Sequence, residues 1–258
     1  MWYVFQTMSG EEEVALQLCK QRVSKEFYKE MFIPRYVAKK KFRGEWHSVK
    51  KKLFPGYFFV DTDRIDDVLN DMTKVQRMTK VLRDADQISP ITADEQKYLS
   101  DMMDENHVVP VSFGLIIGSK IVVTEGALQD YQGKICKIDR HRRIAKLETS
   151  LFGRNTPVEV SLEVVKKVTE EEFEDWKREQ LENFSNMEEL AEGEKQIEVG
   201  GMVKVVSGVF NNLIASVTHV DYKNMELKTM LELMGTKMPV TFRMDEVVAF
   251  EFDEDKED

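Results

Sequence analysis

Residues 118–165 align with residues 200–247 at one constant offset and without a gap, and this internal repeat limits the possible folds more than any other feature. Gly118 meets Gly200, Gly126 meets Gly208, Asp139 meets Asp221, Gly153 meets Gly235 and Pro157-Val158 meets Pro239-Val240. Other pairs are apolar on apolar: Ile121 with Val203, Leu128 with Phe210, Ile135 with Val217, Ile138 with Val220. The glycines and prolines mark turns, and the blocks between them alternate in strand fashion. Each copy therefore reads as one small all-β unit, and two copies are too few for a solenoid. Short strands are expected at 120–124, 133–139, 144–150, 157–160 and 164–168, closing into a small barrel that leaves no free edge. Gly126 and Gly208 are expected to take positive φ after the first strand of each copy.

Between the copies, Thr169-Glu170-Glu171-Glu172 is a capping-box pattern, with Phe173, Trp176, Leu181 and Phe184 following at roughly helical spacing. A helical spacer and a solvated acidic linker are both compatible with it. The first 111 residues follow another rhythm. Residues 2–6 read as a strand, and Ser9-Gly10-Glu11-Glu12 is expected to cap a helix through Val14, Leu16 and Leu18. Residues 33–41 are extended, 42–52 form a basic hairpin around Gly44, and 54–60 return as a strand containing Phe58 and Phe59, of which one is expected to face in and one out. Residues 65–72 are helical, 75–82 extended, and Thr92-Ala93-Asp94-Glu95 caps a last helix. This order predicts an α+β fold: an N-terminal α/β sandwich, its antiparallel sheet carrying helices on one face, followed by two small all-β barrels. The expected division is 1–111, a first barrel at 112–168, an acidic linker at 169–198, a second barrel at 199–250 and an acidic tail at 251–258.

The formal net charge of −10 conceals two basic runs. Residues 35–52 hold Arg35, Lys39, Lys40, Lys41, Arg43, Lys50, Lys51 and Lys52 against Glu45 alone, and residues 134–146 hold Arg140-His141-Arg142-Arg143 flanked by Lys134, Lys137 and Lys146. Local patches rather than net charge decide whether a polyanion binds. Cys19 and Cys136 are too few for a disulfide framework or a four-thiolate zinc site, and buried structural thiols are the expectation for both. His47, His107, His141 and His219 lie in separate segments and suggest no metal site. No glycine-rich phosphate loop and no His-x-x-x-His or Cys-x-x-Cys spacing occurs, so neither an enzyme nor a bound cofactor is expected. The longest nearly uncharged stretch, 108–118, falls short of the about 20 residues a membrane span needs, so a cytoplasmic, monomeric protein without membrane contact is expected.

Three pieces, in order and at this spacing, carry a family resemblance: Trp2-Tyr3-Val4 with Gln6 and Ser9-Gly10; Phe54-Pro55-Gly56-Tyr57 before an apolar strand; and Leu151-Phe152-Gly153-Arg154-Asn155-Thr156-Pro157-Val158-Glu159-Val160. With them residues 1–168 resemble a NusG-family transcription elongation factor, an NGN domain followed by a KOW domain. The two basic runs are similar in character to the LoaP-type specialised paralogues, and the second copy resembles a further KOW unit. In that copy Arg140-His141-Arg142-Arg143 is replaced by Tyr222-Lys223-Asn224-Met225, and Phe152-Gly153-Arg154 by Met234-Gly235-Thr236. A protein-binding module and a purely structural one both fit it.

The resemblance implies a non-catalytic protein that rides on RNA polymerase. Its implied polymerase contact is an apolar patch at Phe54, Pro55 and Phe59, because an exposed aromatic beside a turn can anchor in a partner groove. Phe152 and Arg154 would bind a protein partner, Rho or the ribosome. The basic hairpin, with Lys134, Lys137, Arg140, His141, Arg142, Arg143 and Lys146, forms a compact phosphate-binding surface suited to a nascent RNA hairpin. Lys39, Lys40, Lys41 and Arg43 would touch upstream or non-template DNA. Three roles follow: processive antitermination recruited by RNA, a general factor coupling polymerase to Rho or the ribosome through Phe152, and a scaffold module without polymerase contact.

Overall fold

The computed structural model describes residues 1–73, 80–81, 83–84, 87–151, 154–184 and 197–250. In chain order the elements are β1 (Trp2–Gln6), α1 (Glu12–Arg22), β2 (Glu30–Phe32), β3 (Arg35–Phe42), β4 (Glu45–Lys52), β5 (Tyr57–Asp61), α2 (Ile65–Met72), β6 (Lys80–Val81), β7 (Arg83–Asp84), β8 (Gln87–Ile88), α3 (Ala93–Met102), β9 (Val108–Val109), β10 (Ser112–Ile117), β11 (Lys120–Glu125), β12 (Ile135–Asp139), β13 (Ile144–Leu151), β14 (Arg154–Val168), α4 (Glu170–Phe184), β15 (Met202–Val205), β16 (Ile214–Asp221), β17 (Glu226–Leu233), β18 (Thr236–Arg243) and β19 (Val247–Phe250). The chain divides into two compact units, one of residues 1–111 with 130–163, the other of 112–129 with 164–258. The residues expected to form the first small barrel are thus shared between both.

In the first unit an antiparallel sheet runs β2-β5-β1-β6. Its register pairs Phe5 with Phe58 and Val4 with Phe59. One face, with Tyr3, Phe5, Phe58 and Val60, packs on Ala15 and Cys19 of α1 and Val68 and Met72 of α2. On the opposite face Phe59 stacks on Phe32 at 5.5 Å and meets Trp2 edge-on at 6.1 Å, while the His107 ring stacks on Phe32 at 3.5 Å. Both faces are therefore dry, and the expectation that one of Phe58 and Phe59 would face out is corrected: each has 0% of its surface exposed.

Helix α1 also differs from expectation. Its inward face is Glu12, Ala15 and Cys19, with Val14 exposed, and Ser9 does not cap it; the Glu12 carboxylate instead accepts from the Gly10 N–H at 2.8 Å. The capping box at Thr92 forms as expected, with Glu95 N donating to Thr92 Oγ1 at 3.2 Å and Thr92 N to Glu95 Oε2 at 2.8 Å. Strands β3 and β4 make the expected hairpin, and its turn residues Arg43 and Gly44 have φ of 49° and 90°. Two successive positive φ values give the turn whose twist matches that of the flanking strands.

The second unit holds the complete copy of the repeat, a five-stranded antiparallel sheet of order β18-β17-β16-β15-β19. Gly126 and Gly208 have φ of 99° and 71°, as expected. Asp139 and Asp221 recur because each holds a tight turn: Asp139 accepts from the Arg142 N–H at 2.9 Å and Asp221 from the Lys223 N–H at 3.0 Å. The copies differ in strand order, β11 lying at the sheet edge beside β10 where β15 lies between β16 and β19, and they differ again at their ends. In the second, a 3₁₀ turn over Met244–Glu246 separates β18 from β19, and the Glu246 carboxylate holds the Arg243 N–H at 2.9 Å. The residue aligned with Glu246 is Val164, which offers no such acceptor, and β14 runs unbroken from Arg154 to Val168 in place of the two strands expected there. Helix α4 forms with its Thr169–Glu172 box intact, and Phe173 and Trp176 bury themselves in the same core as Phe210, Leu227 and Val240. It is therefore a packed helix from its first turns, not a solvated linker. Among the described residues no helix is long and apolar enough to cross a membrane.

Candidate nucleic-acid interface

The two basic runs, about a hundred residues apart in sequence, lie in the same compact unit and meet there. The Arg143 guanidinium sits 4.1 Å from the centre of the Trp46 ring, and the Ser161 hydroxyl donates to the Val37 carbonyl. Between the hairpins opens a groove of about 630 Å³ lined by Arg35, Tyr36, Lys50, Lys51, Lys52, Leu53, Pro55, Arg142, Lys146, Pro157 and Glu159. Six of these residues are cations and one is an anion. Glu159 is shared between Lys146 at 2.9 Å and Arg142 at 3.6 Å, while Lys52 pairs with Glu12 and Arg35 with Glu13. Among the described residues Lys50 and Lys51 carry no ion pair, so the groove keeps uncompensated positive charge.

The hairpins are fixed from below by Glu12. Its side chain is fully buried, yet it is satisfied by Lys52, by the Gly56 N–H at 2.6 Å and by the Gly10 N–H at 2.8 Å. Burial pushes its carboxyl up, but the hydrogen bonds from Lys52 and from backbone N–H groups outweigh this and hold it below its ordinary value. Gly56, at φ 87°, turns its N–H onto that carboxylate, and a Cβ there would come 3.3 Å from the Thr7 carbonyl oxygen. The Phe54–Tyr57 turn thus has a definite role, to lock the start of β5 to the end of the β3–β4 hairpin.

That role corrects the expected polymerase patch. Phe54 is 5% exposed and its ring packs on Phe59 at 6.0 Å, so neither ring is available to a partner; Pro55 remains exposed. The other expected contacts separate by position. Lys39 is tied to the Ser48 hydroxyl at 3.1 Å, while Lys40, Lys41 and Arg43 are exposed towards the end of the hairpin, the Arg43 guanidinium 5.3 Å from the centre of the Phe42 ring. Arg142 and Lys146 line the groove, and Arg143 is half-buried against Trp46 and Glu163. Lys137, Arg140 and His141 are exposed outside the groove lining. Lys134 is drawn aside over the rings of Tyr98 and Tyr131, at 4.2 Å and 5.4 Å. Tyr131 donates to Asp101, and burial with that carboxylate pushes its hydroxyl up to about 12. Phe152 lies outside the described residues, as does the side chain of Arg154.

The aromatics Phe42 and Trp46, 58% and 38% exposed, were not among the candidates. The Arg43-Gly44 turn fixes the pairing of Lys41 with Trp46 and of Phe42 with Glu45, so the signal for them was present in the hairpin register. Cys19 is buried in the core, which pushes its thiol up to about 11 and leaves it unreactive, whereas Cys136 is exposed, correcting the expectation of a buried thiol. Among the described residues no group of His, Cys, Asp and Glu could hold a metal ion.

Residues 1–100 match the family model described as "Transcription termination factor nusG". The chain is 27% identical over 172 residues to the transcription termination/antitermination protein NusG of Rickettsia typhi, covering 64% of this chain and 89% of that protein. It is 29% identical over 173 residues to NusG of Haemophilus influenzae, covering 65% and 94%. The first 100 residues of the chain are thus similar to the NusG family. A solved structure described as "Domain interaction in Thermotoga maritima NusG" shares 18% identity and covers 97% of both chains, with a TM-score of 0.30. The family-model match takes in β3 and β4 and ends before Arg142, Lys146, Pro157 and Glu159 of the groove.

Proposed function

We propose that this chain is a transcription elongation factor acting by processive antitermination, held on RNA polymerase by residues 1–111 and recruited by a nascent RNA hairpin. The observation that carries the RNA contact is the groove, in which cations of two distant hairpins face one space. A polyanion entering it releases counterions as each phosphate is neutralised, a sequence-independent contribution that grows with every added cation. Arg142 can hold two phosphate oxygens at once, and Lys50, Lys51 and Lys146 act as point charges. The reading joins the resemblance to LoaP-type paralogues with the family's printed function in its relatives. Pro55, exposed on the turn that Glu12 locks, is the remaining member of the expected polymerase contact. By linkage, the factor favours the elongating polymerase only as far as it binds that form better than the paused one.

The test is readthrough of an intrinsic terminator placed after a hairpin-coding leader, with the full chain and with its Arg140→Glu/Arg142→Glu variant. Readthrough is expected to rise with the wild-type chain and return to background with the variant, while both co-purify with polymerase. Equal readthrough by the two would overturn recruitment by RNA. Failure of the wild-type chain to bind polymerase would favour a scaffold role.

A further inference from the structure

We propose that the tip of the β3–β4 hairpin is a stacking site for unpaired nucleotides, with Trp46 as its platform. The site deepens the proposed function, since it rests on the groove being a nucleic-acid surface, but it uses residues that no part of that reading requires. Of the three tryptophans, Trp2 and Trp176 are 7% and 8% exposed, whereas Trp46 keeps 38% of its surface open even with Arg143 against it. Phe42, paired with Glu45, is exposed on the opposite face of the hairpin and lies outside the site. The Trp46 ring is accompanied by the Arg143 guanidinium, 4.1 Å from its centre.

Residues paired across antiparallel strands share a face, so Trp46 lies on one face with Lys41, and the pairs Lys39–Ser48, Val37–Lys50 and Arg35–Lys52 continue that face. The result is a line of cations at intervals of about 6.6 Å, the two-residue repeat of a strand, ending in an aromatic ring. Successive phosphates of an extended nucleotide strand fall at comparable intervals. The cations call for a polyanion and the ring for a flat apolar face, and a nucleotide strand supplies both along its length. A duplex buries the faces of its bases in its own stack, so only unpaired bases can lie on this ring. The ligand is therefore a single strand continuous with the polyanion in the groove, and RNA and DNA share that chemistry.

The full chain is titrated with a short oligouridylate, the matching oligodeoxythymidylate and a blunt RNA duplex, reading tryptophan emission and the anisotropy of labelled strands. Single strands are expected to quench emission, and the duplex to bind without quenching. Quenching by oligouridylate alone assigns the site to RNA; quenching by both assigns it to either strand. Trp46→Leu is expected to weaken single-strand binding about tenfold, with Trp46→Phe within about twofold of wild type because a ring is retained. The proposal is overturned if single strands fail to bind, bind without quenching, or bind Trp46→Leu as tightly as wild type. It is also overturned if the duplex quenches equally. Hairpin-RNA binding unchanged in Arg140→Glu/Arg142→Glu, with quenching by oligouridylate intact, would sink the antitermination reading alone.

Discussion

Glu12 is a fully buried carboxylate whose partners come from three separate stretches of chain: Gly10, Lys52 and Gly56. Removing it leaves two backbone N–H groups and an ammonium without their acceptor. Glu12→Ala is therefore expected to cost about 2–4 kcal/mol in urea unfolding. The sign of the pH dependence follows from the lowered carboxyl: the stabilisation is full above the ordinary value of 4.5 and is lost as pH falls through the lower folded value. The wild-type chain should lose stability on acidification below that point, and Glu12→Gln should show a flatter profile. Glu12 was legible in the sequence only as part of the start of α1. The clasp was not, because it depends on bringing Gly56 next to residues more than forty positions earlier. Phe54 was misplaced for the same reason: an aromatic beside Pro-Gly looks like an exposed anchor until the second face of the sheet is known to be covered.

At the scale of elements, local signals were read well where they close within a few residues. The box at Thr92, the Arg43-Gly44 turn and the helix at Ile65–Met72 formed as expected, and at Thr169 the helical one of two open alternatives formed. Thr169→Ala removes the acceptor for the Glu172 N–H and should cost about 1 kcal/mol, seen as faster amide exchange at the start of α4. Phe173 and Trp176 keep the rest of that helix docked. The repeat was legible as sequence, yet its copies take different strand orders, β11 at an edge beside β10 and β15 between β16 and β19. They differ again at their ends, where Glu246 holds the turn before β19 while Val164 offers no acceptor and β14 runs on. A pattern of turn formers predicts where a strand is allowed to end; an acceptor for the freed N–H decides whether it does.

At the scale of the molecule, the cations of both basic runs were legible as charge, but their meeting was not, since nothing in either run names the other. The groove also reassigns roles: Lys50, Lys51 and Lys52 join Arg142 and Lys146, while Lys134 turns aside to two tyrosine rings. The central claim is that two hairpins serve one RNA. Its most direct test is the salt dependence of hairpin-RNA affinity for the full chain, for Lys50→Ala/Lys51→Ala and for Arg142→Ala/Lys146→Ala. Each lost phosphate contact should flatten the slope of log K against log salt by about 0.7, so both double variants are predicted to flatten it, by similar amounts. A slope changed by the Arg142/Lys146 pair and untouched by the Lys50/Lys51 pair would contradict the shared groove.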